Sequence, residues 1–248
     1  MQHEGEGAVP APLPPGALAL PPLTPGTLVK RYKRFLADVI LEDGTPVTAH
    51  CPNSGRMTGC SEPGRPVWLS RSENPGRKHP FTWELISMPE SLVGVNTLLP
   101  NRLAARGIRD GVIPGFSGYG EIRPESRLPG GSRPDLLLRG PGLADCYVEV
   151  KNCTLVEGGR ALFPDAPTAR GAKHARELAA LARQGLRAAF FFLVQRHDAE
   201  SFSPADEIDP AFCAALREAL AAGVMALAWD ARLTLSSIRL NRPLPIIL

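Results

Sequence analysis

From Leu28 onward, apolar and polar positions alternate with a period of two, and the first clear break falls at Asp43-Gly44. Strand side chains point alternately to the two faces of a sheet. The stretch "TLVKRYKRFLADVILEDGTPVTAHC" therefore predicts two strands joined by a tight Asp-Gly hairpin. Three more short runs, "RPVWLSRSE", "FTWELISM" and "SLVGVNTLL", follow between Gly, Pro, Asn and Ser positions. Short strands at this spacing, with almost no helical period, predict a small five-stranded barrel or sandwich.

Near Asn101 the texture changes. "NRLAARGI" predicts a short helix, and "GEIRPESRL", "RPDLLLRG" and "DCYVEVKNCTL" predict three successive strands. "PTARGAKHARELAALARQG" has helical spacing: Thr168 can cap it, Ala175, Leu178, Ala179 and Ala182 form one apolar stripe, and Gly185 ends it. "RAAFFFLVQ" is a continuous apolar run of the kind that fills a central strand buried on both faces. A second helix is predicted from the Asp209 cap and Pro210 to Gly223, with "VMALAWD" as a last strand. The second half thus predicts an α/β domain with a mixed sheet. Residues 1–25, rich in Pro, Ala and Gly, are expected to form a flexible tail, 26–100 the barrel and 101–248 the α/β domain.

Apolar residues make up 44% of the 248 positions and charged residues 21%, which is ordinary for a globular chain. No apolar run reaches the ~18 residues of a membrane-spanning helix, and the opening residues lack a basic leader. A cytoplasmic protein that contacts no membrane is expected. The five cysteines include no Cys-x-x-Cys pair, so neither a disulfide framework nor a zinc ribbon is predicted, and His50, Cys51 and Cys60 match no structural zinc spacing.

The net charge of +3 does not by itself imply nucleic acid. Its distribution adds more: "KRYKRF" sets Lys30, Arg31, Lys33 and Arg34 around Tyr32, a mixture of phosphate-seeking charge and stackable ring that also fits a solvated strand end. In "CPNSGRMTGC", Asn53, Ser54, Gly55 and Arg56 read as a tight rim loop or a plain turn. Arg170, Lys173 and His174 open the first long helix, where backbone N–H groups also favour phosphate.

The chemistry concentrates in "PDLLLRGPGLADCYVEVKN". Asp135 heads one apolar strand, and Glu149-Val150-Lys151 lies within the next. Moving an isolated charge out of water costs several kcal/mol, so these groups need partners, a cation or a wet face. Glu149 and Lys151 share one face of their strand with Tyr147, and pairing on a solvated face accounts for them as well as a site does. The turn at Gly140, Pro141 and Gly142 makes the two strands a hairpin, which can bring the carboxylates together. Two carboxylates and a backbone carbonyl suit magnesium or manganese, and an adjacent ammonium suits phosphodiester hydrolysis. Only five of the 28 Lys and Arg residues are lysine, which favours a specific task for Lys151.

Pro134-Asp135 followed by Glu149-Val150-Lys151 resembles the PD-(D/E)xK pattern of the restriction-endonuclease-like superfamily. More broadly, "RYKRFLADV", "HCPNSGRMTGC", "VNTLLPNRL", "RPDLLL", "CYVEVKNCTL", "FPDAPTARGAKHAREL" and "FSPADEID" occur in the order found in the sugar fermentation stimulation protein family. The resemblance implies an oligonucleotide-binding-type barrel followed by a nuclease-like α/β domain, with DNA as partner. It implies Asp135, Glu149 and the Val150 carbonyl as metal ligands and Lys151 as the group that orients water, with Glu125 as a further carboxylate. Arg31, Tyr32, Lys33, Arg34, Asn53, Arg56, Arg170, Lys173 and His174 become the expected DNA contacts. The expected function is a DNA-binding protein with a magnesium-dependent nuclease site; the alternative is a non-catalytic DNA-binding regulator whose second domain is a scaffold. The chain departs from the family pattern in its Pro-rich start and in "RLPGGSR" before the aspartate. Single- against double-strand preference and a homodimer stay open, and without a groove-reading helix strong sequence specificity is not expected.

Overall fold

The computed structural model describes residues 12–124 and 133–248. Its first element corrects the expected tail. Strand β1 (Ala17–Ala19) is seated on the edge of the second domain's sheet, with Ala17 and Leu20 buried. Small and apolar residues between prolines can thus add a short edge strand where a neighbour supplies the hydrogen bonds. Gly16, at φ +68°, turns the chain into it and donates its N–H to Asp110 Oδ2 at 2.8 Å.

The barrel is built from β2 (Leu23–Tyr32), β3 (Leu36–Leu41), β4 (Pro46–His50), β5 (Pro66–Arg71) and β6 (Phe81–Ser87), with β7 (Leu92–Gly94) added to β6. The strand order is β4-β3-β2-β5-β6, and a β4–β6 pairing at His50 and Thr82 closes it. Gly44, at φ +83°, makes the β3–β4 hairpin predicted at Asp43-Gly44. Leu28, Val39, Met57, Leu69 and Trp83 fill the interior. Leu85 instead joins the core of the next domain, with Leu23, Trp68 and Leu92 packed against it, so the two domains share packed apolar surface.

The second domain follows as α1 (Leu99–Arg109), β8 (Glu121–Pro124), β9 (Leu136–Arg139), β10 (Cys146–Cys153), β11 (Leu155–Glu157), β12 (Arg160–Phe163) and α2 (Ala169–Arg183). It ends with β13 (Arg187–Val194), β14 (Ser201–Pro204), α3 (Pro210–Ala221), β15 (Met225–Leu233) and β16 (Ser237–Leu244). The seven-stranded sheet has the order β1-β16-β15-β13-β10-β9-β8, with β10, β13 and β15 parallel and the other pairs antiparallel. A separate three-stranded sheet, β11-β12-β14, lies beyond the end of β10.

Each face of the large sheet has its own core. Val148, Val150, Phe191 and Leu193 pack toward α1, whereas Phe190, Phe192 and Val194 pack toward α2 and α3. β13 is therefore buried on both faces, as its unbroken apolar run requires. The helix ends follow the predicted caps: Thr168 Oγ1 accepts from Gly171 N, and Asp209 accepts from Phe212 N. All five cysteines are free and buried. Among the described residues no helix is long and apolar enough to cross a membrane.

Candidate active site and nucleic-acid interface

Residues of β10 alternate as expected, and alternation decides the surroundings of the charged pair. Val148 and Val150 fill the α1-side core, which turns Glu149 and Lys151 toward α2. That face is covered rather than wet: the Glu149 side chain is only 6% exposed and that of Lys151 14%. Lys151 Nζ donates to Glu149 Oε1 at 2.7 Å, and His174 Nδ1 from α2 meets the same oxygen. Among the described residues Glu149 Oε2 has no hydrogen-bond partner. Burial alone would raise the Glu149 pKa, but the His174 hydrogen bond and the Lys151 charge outweigh it and hold the carboxyl below its ordinary range.

Asp135 immediately precedes β9. Its Oδ2 accepts the Val150 N–H at 2.8 Å and its Oδ1 accepts Asn101 Nδ2, from α1, at 2.9 Å. Burial and the neighbouring charge of Glu149 push the Asp135 carboxyl above its ordinary pKa. The bond from Val150 N sets Asp135 beside the Glu149-Val150-Lys151 segment.

Pro134 bears on a further donor atom, the carbonyl of Val150. The β9–β10 register pairs Leu138 with Cys146 and ends with Leu136 opposite Val148, and Pro134 lies two residues before Leu136. Proline has no N–H. The Val150 carbonyl therefore gains no ladder donor from position 134, while its N–H is taken by Asp135. Two carboxylates and one carbonyl thus belong to neighbouring segments at the open end of the hairpin. Among the described residues no group of three or more His, Cys, Asp or Glu side chains could hold a metal ion. The set is sparse, and it suits a cation such as magnesium that keeps several waters. Glu125 lies outside the described residues.

The predicted DNA contacts divide into two groups. Lys33, Arg34, Arg56, Arg170 and Lys173 are exposed, although Lys173 also pairs with Glu177 at 3.7 Å. Arg31, Tyr32, Asn53 and His174 are engaged within the protein. Arg31 donates to the carbonyls of Asn53 and Gly55 at 2.8 Å and of Arg56 at 3.3 Å, so it shapes the rim loop. Asn53 is buried and closes that loop by accepting Gly55 N through Oδ1 at 2.8 Å. Tyr32 donates its hydroxyl to Asp38, and Lys30 sits over its ring. His174 turns inward to Glu149, and Arg170 Nε donates to its Nε2 at 3.4 Å.

The rim loop does not stand alone. Met57 N donates to Asp165 Oδ2 at 2.8 Å, which ties the barrel to the segment between β12 and α2. A cleft of about 720 Å³ opens there, between the rim loop, the end of β10 at Asn152–Thr154 and the Phe163–Thr168 segment. Asn152, which follows Lys151 along β10, and Thr168, which caps the helix that carries His174, both line the cleft. Asn101 and Asp165 carried no signal in the sequence, because each gains its role only through a distant element.

Comparisons with known proteins agree with this architecture. Residues 29–95 match the model described as the SfsA N-terminal OB domain, and residues 98–237 match the sugar fermentation stimulation protein RE domain. The sugar fermentation stimulation protein homolog of Pelobacter propionicus is 59% identical over 231 residues, covering 93% of this chain and 100% of the relative. That of Geobacter sulfurreducens is 56% identical, covering 91% and 97%. Among solved structures, Pyrococcus furiosus SfsA in complex with Ca2+ superposes with a TM-score of 0.85 at 29% identity, over 93% of this chain and 98% of that one. With the two models together spanning the barrel and most of the second domain, the chain belongs to the sugar fermentation stimulation protein family.

Proposed function

We propose that this protein binds DNA and hydrolyses its phosphodiester bonds in a magnesium-dependent reaction. The observation that carries the proposal is the 2.8 Å bond from Val150 N to Asp135 Oδ2, which ties the lone acid of one strand to the Glu149-Val150-Lys151 segment of the next. Asp135, Glu149 and the Val150 carbonyl would hold the cation. The Pyrococcus relative was solved with Ca2+, another hard cation that takes oxygen ligands. Bound there, a divalent ion supplies Lewis acidity and neutralises charge that builds on the phosphate.

The chain's own residues account for the rest. Lys151 brings an ammonium beside the acids, where it can orient the attacking water or a phosphate oxygen. His174 and Lys151 hold Glu149 ionised and fixed in orientation. Arg170 and the exposed cations of the barrel draw in the backbone of the substrate, in which water attacks phosphorus as the P–O bond breaks.

One observation favours a second reading, a DNA-binding protein without catalysis: Lys151 already neutralises Glu149, so the pair is satisfied with no substrate present. Nicking of single- and double-stranded circular DNA in magnesium separates the two. The wild type should cut, and Asp135→Ala and Lys151→Ala should not; indistinguishable behaviour of all three removes the nuclease reading. DNA affinity should fall steeply with salt, since phosphate contacts release counterions.

A further inference from the structure

The cleft between the two domains is built from unlike walls. On the barrel side Arg34, Ser54 and Arg56 stand at the rim, and among the described residues the two exposed guanidinium groups have no hydrogen-bond or ion-pair partner. Three arginines, Arg31 among them, line the cleft against one acid, Asp165. That carboxylate is itself engaged, since its Oδ2 accepts Met57 N. The opposite wall is largely apolar, made by Leu162, Phe163, Pro164, Ala166 and Pro167. Phe163 is held from behind by Phe192 and Phe212, with ring centroids 5.6 and 5.3 Å away, so the ring is rigid where it borders the cleft.

We infer that this cleft takes one unpaired strand of DNA and leads it to the carboxylate site, which makes single-stranded DNA or an unpaired segment the preferred substrate. The inference rests on the nuclease reading and names its substrate. Three features carry it. Unpartnered arginines facing an apolar wall suit a nucleotide, with phosphate on one side and base or sugar on the other. The volume, about 720 Å³, lies within the range of roughly 300–1,000 Å³ of sites that enclose small ligands, which is room for nucleotides of a single strand. The cleft also lies at the carboxyl end of β10, a parallel strand of the large sheet and the one that carries Glu149 and Lys151, where α/β sheets bind ligands.

The test is fluorescence anisotropy of the full chain in calcium, with a labelled oligothymidylate of 12 nucleotides and the corresponding blunt duplex as probes. The wild type should bind the single strand at least tenfold more tightly than the duplex. Arg34→Ser/Arg56→Ser, which removes the rim charge, and Ser54→Trp, which adds bulk from the solvent side, should each weaken single-strand binding at least tenfold. Duplex binding should change less than twofold. Melting temperatures report whether a variant folds; should the double variant unfold, Ser54→Trp carries the test, because its side chain has no contact to lose. Duplex binding equal to or tighter than single-strand binding overturns the inference, as does full single-strand affinity in folded variants. If circular DNA is still nicked in that case, the nuclease reading stands without this substrate. If neither probe binds, both fall.

Discussion

His174 Nδ1 and Lys151 Nζ converge on one oxygen, Oε1 of Glu149. The histidine comes from α2, 25 residues after the glutamate, and its ring is 11% exposed. With Nε2 accepting from Arg170, the arrangement fits the tautomer that carries its proton on Nδ1. Such a contact fixes the carboxylate's orientation and leaves Oε2 for a cation. Outer partners of this kind typically govern about 10–100-fold of metal affinity. His174→Ala should therefore weaken calcium and magnesium binding within that range in calorimetric titration. His174→Asn, whose amide can donate from nearly the same position, should recover much of the loss. Equal affinities in all three proteins would leave the histidine with no part in metal binding.

Arg31 and Arg34 stand three residues apart in one basic run but do different things. Arg31 serves three carbonyls of the rim loop, a task for a planar fork that a lysine's single ammonium cannot repeat. Arg31→Lys should destabilise the fold by about 1–3 kcal/mol in urea denaturation, the usual consequence of stranding buried polar groups. Arg34→Ala, on an exposed turn, should leave stability within about 0.5 kcal/mol. It should lower single-strand DNA affinity and reduce the salt slope of that binding by about one. If the two substitutions exchanged these effects, the division of labour drawn from the loop geometry would be wrong.

The sequence exposed the parts of this molecule that are local. The Asp43-Gly44 hairpin, the Thr168 and Asp209 caps and the run Ala188–Val194 each state their structure within a few residues. Asp135 and Glu149-Val150-Lys151 were legible for a related reason, since charges interrupting apolar strands demand partners. What stayed hidden depends on distant neighbours. β1, β11, β12, β14 and β16 are short strands or carry Pro, Gly and Arg, and only their pairing partners make them strands. The inward turn of His174 required knowing that α2 covers the Glu149 face, and the fastening of the rim loop required Asp165, 108 residues from Met57.

β1 turns the start of the chain into part of the second domain's packing. Leu20 is 8% exposed and Ala17 1%, both against the sheet edge and α1. Burying one leucine side chain contributes about 1.5–3 kcal/mol. A chain that begins at Leu23 should lose at least this much, read as an earlier urea midpoint. Circular dichroism should still show folded barrel and sheet. An unshifted midpoint would make the strand dispensable for stability.

Asp198 offers a pH dependence whose sign is fixed by geometry. Its two oxygens accept Arg196 Nε at 2.6 Å and an η nitrogen at 2.5 Å, and Arg196 also donates to the Thr154 carbonyl at the cleft at 3.1 Å. Burial alone would raise the Asp198 pKa, but the arginine fork outweighs it and holds the carboxyl below its ordinary range. A depressed folded-state pKa contributes stability that is fully present above the unfolded value of about 4 and is lost as pH falls through the folded value. Asp198→Asn should therefore be less stable than wild type by about 1–3 kcal/mol at pH 7. The gap between their urea midpoints should close on acidification, because protonated Asp198 resembles asparagine. A gap of the same size at pH 3 and pH 7 would show that the ionised pair contributes nothing to the fold.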